Sequence, residues 1–210
     1  MLLYAISSRT QFFGSEPERH QRLIAQAALL AQRGVDYFQI REKDLAPNEL
    51  SLLAEKIVEA VRLTHSPMQV LLNGPAEVAL ASGCDGLHLP GGSSVERSVQ
   101  ARRLFGKANR KITVSAACHS PEQIGFWSQQ ADLLLFAPVF EKRLATGSLE
   151  GQGLNKLAEA VAVAQGRHVL ALGGITAENA PTALAAGASG VAAIRLFHGQ
   201  DWQRLRGSIS

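Results

Sequence analysis

Cysteine is nearly missing from this chain of 210 residues: Cys84 and Cys118 are the only two, in no metal-ligand spacing. That excludes a disulfide scaffold and points to reduced thiols in a cytosolic compartment. No block of five like charges occurs, and 21 Lys plus Arg against 18 Asp plus Glu leave a net charge of only +3. A nucleic-acid-binding stripe is therefore not expected. No apolar run approaches the roughly 18 residues of a membrane span, and MLLYAISSRT at the start has no basic stretch before a long apolar core, so neither a span nor a targeting address is expected. No Pro-, Gly- or Ser-rich linker or shift of composition divides the sequence. Residues 1–210 are read as one domain, 46% hydrophobic and large enough to bury most of its apolar surface.

What is present is a series of short apolar runs separated by helix-length segments: 2–6, 37–40, 69–72, 86–89, 111–116, 132–139, 168–172 and 190–194. Runs apolar at nearly every position suit strands covered on both faces, as in a parallel sheet. Helix starts follow them at a short distance: Ser15 with Glu18, Ser120 with Pro121 and Gln123, and Thr176 before Ala177, Glu178 and Asn179. Eight strand–helix units in just over 200 residues predict a compact α/β fold, the (β/α)8 TIM barrel. An open doubly wound sheet more often stops at five or six strands. The polar stretch Leu144 to Gly153 is expected to be a mobile loop.

In such a barrel the segments after the strands converge on one mouth, so the strand ends carry the chemistry. The seventh run leads into Gly173-Gly174-Ile175-Thr176, where backbone N–H groups and a helix start suit a phosphate. The eighth ends Ile194-Arg195, adding a guanidinium. A plain tight turn and a surface arginine are the alternative. After the second run, Gln39, Arg41 and Lys43 fall on one face by the period of two and suit an anionic ligand, although Glu42 and Asp44 allow an internal salt-bridge network instead. Asn73, followed by Gly74, ends the third run. His119 ends the fifth and is the best placed of six histidines to move a proton near neutrality; a locally bonded cap side chain is its other reading. His88 lies within the fourth run, where a packing or hydrogen-bonding role inside the barrel is expected. Cys118 projects to the face opposite His119, so no Cys–His dyad is expected.

Taken together, YAIS at 4–7, FQIREKD at 38–44, DGLHLP at 85–90, ADLLLFAPVFE at 131–141, LEGQGL at 149–154, ALGGITAEN at 171–179 and GASGVAAI at 187–194 resemble the thiamine phosphate synthase superfamily. The resemblance implies that Gln39, Arg41, Lys43 and Asn73 match residues binding a pyrimidine diphosphate, and that Gly173, Gly174, Ile194 and Arg195 match a thiazole phosphate site. It also implies two aspartates holding Mg2+, but their places read Gly74 and Ser93 here. The lysine-bearing Pro-Thr stretch is replaced around Lys142, and a serine two residues before the histidine is Ala117.

Asn73-Gly74, Leu89-Pro90-Gly91-Gly92 and Val139-Phe140-Glu141 are more similar to the TenI branch, whose catalytic histidine matches His119. That implies a thiazole tautomerase: His119 takes a proton from the ring carbon bearing a carboxylate and returns one to an exocyclic carbon, with Arg41 or Lys43 facing the carboxylate. No metal or other cofactor is then expected. The alternatives are a synthase coupling the pyrimidine diphosphate to the thiazole phosphate with Mg2+, and a noncatalytic phosphate-ligand sensor. The expected partner is a small-molecule thiazole phosphate, in a cytoplasmic protein that pairs as a homodimer and binds neither nucleic acid nor membrane.

Overall fold

The computed structural model describes residues 1–144 and 147–207. Eight parallel strands close into a barrel: β1 (Leu2–Ile6), β2 (Tyr37–Ile40), β3 (Gln69–Leu72), β4 (Gly86–Leu89), β5 (Thr113–Cys118), β6 (Leu133–Phe136), β9 (His168–Leu172) and β10 (Gly190–Ala193). The circuit runs β1-β10-β9-β6-β5-β4-β3-β2, so neighbours in sequence are neighbours in space and β10 returns to β1. The helices between them are α1 (Glu16–Gln32), α2 (Pro47–Arg62), α3 (Ala76–Ala81), α4 (Val95–Lys107), α5 (Pro121–Trp127), α6 (Gly153–Ala162) and α7 (Ala180–Ala185), with α8 (Arg204–Gly207) after the last strand. No helix among the described residues is long and apolar enough to cross a membrane.

The unbroken apolar runs follow from burial on both sheet faces. One face of the strands fills the barrel with Tyr4, Ile6, Leu71, Leu133, Leu135, Leu170 and Ala192. The other meets the helices in a larger core that includes Leu23, Phe38, Ile57, Phe105 and Phe136. Five strands coincide with their apolar runs. β5 is displaced two residues along the chain, because its pairing with β4 begins at Gly86 opposite Thr113. β6 stops at Phe136, and Pro138 just beyond it has no N–H for a ladder.

Three aspartates tie the bottom of the barrel. Asp36, Asp85 and Asp132 each precede an even strand and accept the backbone N–H of Leu3, Val70 and Val114 on the strand before, at 2.7, 2.8 and 2.8 Å. Arg62 and Arg102 pair with the latter two. These carboxylates satisfy donors that the barrel's end would leave bare.

Two local expectations change. The stretch expected as a mobile loop, Leu144 to Gly153, includes part of an antiparallel hairpin, β7 (Lys142–Leu144) with β8 (Gly147–Leu149), ahead of α6; Ala145 and Thr146 lie outside the described residues. Helix α7 does not start beside Thr176. Its N-cap is Asn179, whose Oδ1 accepts the Thr176 N–H at 2.9 Å, so the four residues form a turn before the helix begins.

Candidate active site

The alternating charges after β2 are sorted by one residue, Arg9, which is 3% exposed. Its guanidinium pairs with buried Glu42 at 3.0 Å, forks onto Asp44 at 2.7 and 2.6 Å and reaches Glu16 at 2.9 Å. Glu42 also accepts the Ser7 hydroxyl. Arg9 holds the Asp44 carboxyl down at about 2. The salt-bridge network weighed for this segment therefore exists, but it takes only the acids. Half-buried Arg41 and exposed Lys43 have no carboxylate partner among the described residues. A third cation joins them: Arg97 of α4 donates to the Gly74 carbonyl at 2.8 Å, next to Asn73. Asn73 is half-buried, and its N–H bonds to Ile40 O at 2.9 Å, which sets it beside Arg41 at the rim.

Gln39 is 1% exposed and its Oε1 accepts the Tyr4 hydroxyl at 3.1 Å. Tyr4 meets Ser115 Oγ at 2.9 Å, and Ser115 meets His88 Nδ1 at 2.9 Å. This polar chain crosses the barrel beneath the mouth and gives His88 the internal hydrogen bond expected of it. Burial, with the charges of Arg41, Arg97 and Lys43, pushes the His88 imidazole down to about 3 and keeps it neutral.

His119 follows β5 directly and stands exposed at the rim. Its backbone belongs to the cap of α5: its N–H bonds to Gln123 Oε1 at 2.7 Å, while Ser120 caps Gln123. Its ring does not. Nδ1 lies 2.9 Å from the carbonyl of Ala137, just beyond the neighbouring β6. A carbonyl only accepts, so Nδ1 carries a proton, and in the neutral ring Nε2 presents the lone pair. Gln152 donates to the same carbonyl at 3.0 Å. Nε2 lies over Gly91, where a Cβ would come within 2.9 Å of it.

On the far side, Gly173 and Gly174 have φ of +95° and +65°. A Cβ on Gly174 would sit 2.4 Å from Glu141 O, and one on Gly173 would sit 2.7 Å from Pro138 Cα. Close packing against the segment after β6 thus requires both glycines on its own. Ile194 packs on the barrel interior, and exposed Arg195 opens a 3-10 turn with no carboxylate partner among the described residues.

The residues present do not fit a carboxylate-held magnesium ion. Gly74 offers a carbonyl already bonded to Arg97, and Ser93 donates to Pro90 O at 2.7 Å. Glu42 and Asp44 are held by Arg9, and no group of three His, Cys, Asp or Glu that could hold a metal occurs among the described residues. Both thiols are buried and pushed up, Cys84 to about 11 and Cys118 to about 12, which makes them inert.

Sequence reasoning did not find Arg9, Arg97 or Gln152. Gln152 sits in LEGQGL, but nothing local marks either arginine, because the Glu42 carboxylate that Arg9 holds and the Gly74 carbonyl that Arg97 holds are 33 and 23 residues away.

The chain is 38% identical over 196 residues to a putative thiamine-phosphate synthase of Geobacter sulfurreducens, covering 91% of this chain and 84% of that one. It is 31% identical to putative thiamine-phosphate synthase 2 of Aquifex aeolicus, covering 93% and 96%. A structure of thiamine phosphate pyrophosphorylase from Pyrococcus furiosus shares the fold with a TM-score of 0.75 at 22% identity, over 97% and 90% of the two chains. Residues 3–197 match the family described as thiamine monophosphate synthase, and the chain belongs to it.

Proposed function

We propose that this barrel is a thiazole tautomerase of thiamine biosynthesis, acting on a carboxythiazole phosphate. The observation that carries this reading is the fixed tautomer of His119, whose Nδ1–H is spent on Ala137 O and whose Nε2 lone pair is left at the rim. Nε2 takes the proton from the ring carbon bearing the carboxylate. The C–H electron pair moves into the ring, the exocyclic double bond shifts inward, and the imidazolium returns the proton to the exocyclic carbon. Atoms and charge balance within the substrate, and aromaticity drives the reaction. The substrate's two anionic ends meet the cations Arg41, Lys43 and Arg97 on one side and the Gly173-Gly174 and Ile194-Arg195 turns on the other. General acid–base work of this kind is worth about 10² to 10⁴ in rate. His119→Ala is expected to lose that factor in aromatising the exocyclic precursor, and unchanged turnover would remove the assignment.

The names carried by the Geobacter and Aquifex relatives favour a second reading, thiamine-phosphate synthesis from a pyrimidine diphosphate and a thiazole phosphate. Against it stand Gly74 and Ser93 in place of carboxylates. Formation of thiamine phosphate by the purified chain with saturating Mg2+ would establish this second chemistry, and its absence would reject it.

A further inference from the structure

The connection from β6 to α6 folds back on itself, and its two arms are laddered together beside His119. Gln152 N–H donates to Pro138 O at 2.9 Å and Gly153 N–H donates to Val139 O at 3.0 Å. Gly151 permits this approach, since a Cβ there would sit 2.5 Å from Val139 O. The rung that follows is made by a side chain. Gln152 is the N-cap residue of α6, yet its side chain makes no cap bond and turns to the connection instead, where Nε2 donates to Ala137 O at 3.0 Å.

Ala137 O is also the acceptor of His119 Nδ1 at 2.9 Å. A carbonyl oxygen has two lone pairs, and these two donors use both. The Ala137 N–H is bonded in turn to Cys118 O at 3.0 Å, so Ala137 is tied to the residue that precedes His119. The imidazole has little else to hold it. It stands exposed, and the bond from its backbone N–H to Gln123 fixes where the residue sits, not which way the ring faces. A water on the second lone pair of Ala137 O would donate its other hydrogen to Nδ1 and so favour the tautomer with its proton on Nε2. The Gln152 amide nitrogen occupies that lone pair and has only hydrogens to offer.

We propose that Gln152 is a positioning residue for His119: by filling the second lone pair of Ala137 O and fixing the direction of that carbonyl, it holds the imidazole in the Nδ1–H tautomer that leaves Nε2 to move the proton. Gln152 touches the carbonyl and not the substrate, so it acts on turnover and not on binding. The kinetic half of this inference rests on the tautomerase reading; the tautomer half does not.

The test compares the full-length wild type with Gln152→Met, which keeps the length of the side chain and loses the donor, and with Gln152→Arg, which keeps an N–H at similar reach. Nitrogen-15 spectra of the histidine rings are recorded without ligand at about pH 8, above the ordinary imidazole value, with the His119 signals identified by their loss in His119→Ala. They should show the proton on Nδ1 in the wild type, a rise of the Nε2–H form in Gln152→Met and the wild-type pattern in Gln152→Arg. In aromatisation of the exocyclic precursor, Gln152→Met should lower kcat about 10-fold, part of the roughly 10²-fold cost of a full ångström of misplacement, with KM within about twofold. A glutamine that only completes the ladder would lower the thermal midpoint on removal and leave the tautomer and kcat alone. That result, a proton on His119 Nε2 in the unliganded wild type, or a Gln152→Met variant matching the wild type in either tautomer or kcat would overturn the proposal. If the wild type does not turn over at all, the tautomerase reading falls and the tautomer comparison decides this one.

Discussion

Gly91 leaves the space that His119 Nε2 uses: a Cβ at position 91 would lie 2.9 Å from that nitrogen, and the backbone there is not in the left-handed region. Two loops from different strands therefore meet at one imidazole edge. Gly91→Ala should displace the ring without straining the chain. Turnover is expected to fall about 10²-fold, as misplacement of a reacting group by an ångström does, with the thermal midpoint nearly unchanged. Steady-state kinetics beside a melting curve check this; full activity would show that the ring does not work from its observed position.

Arg9 is the next residue to remove. Arg9→Met leaves Glu42 buried at 4% exposure with its charge uncompensated, and about 3–5 kcal/mol of stability should be lost in urea unfolding. Adding Glu42→Gln should recover part of that loss, because the two residues share one network.

Acid stability carries a signature of His88. Burial holds its folded value near 3, against 6.5 for the free side chain. Between these values the unfolded chain binds a proton that the barrel refuses. The contribution is whole above about pH 6.5 and declines as pH falls, by at most ~1.4 kcal/mol for each pH unit, until the folded imidazole also protonates near 3. His88→Gln should flatten that part of the profile in denaturation series run from pH 7 to 4. An unchanged slope would assign the acid sensitivity elsewhere.

At the opposite end, Asp132→Ala removes the acceptor of the Val114 N–H and the partner of Arg102. A loss of about 1–3 kcal/mol is expected from leaving these donors unmet. Because the change lies at the bottom of β6, KM and kcat should stay at wild-type values once the protein is folded.

The barrel was legible because burial on both faces writes each strand as an apolar run, and eight of them in this length suit a closed barrel better than an open sheet, which more often stops at five or six strands. GLHL, QVLL and HVLAL end where β4, β3 and β9 end. The pairing of Lys142–Leu144 with Gly147–Leu149 was not readable as a hairpin, since β8 is exposed along its length and has no buried face to pattern its sequence. Thr176 has the residue type of a cap, but Asn179 competes for the same turn and takes the helix start. At the site, His119 could be chosen because strand ends lie at the mouth. Arg9 and Arg97 could not, because their roles depend on partners brought together only by closure of the barrel. The period of two also stopped short: β2 ends at Ile40, so Arg41 and Lys43 reach the rim from a turn and not from a continuing strand.

The capture of Glu42 and Asp44 by Arg9 has an effect beyond the folded state. It leaves the opening more electropositive than the chain's net +3 suggests, a local field that draws small anions before any contact forms. Association of a phosphorylated ligand should therefore slow as ionic strength rises, while its escape, set by short-range bonds, changes far less.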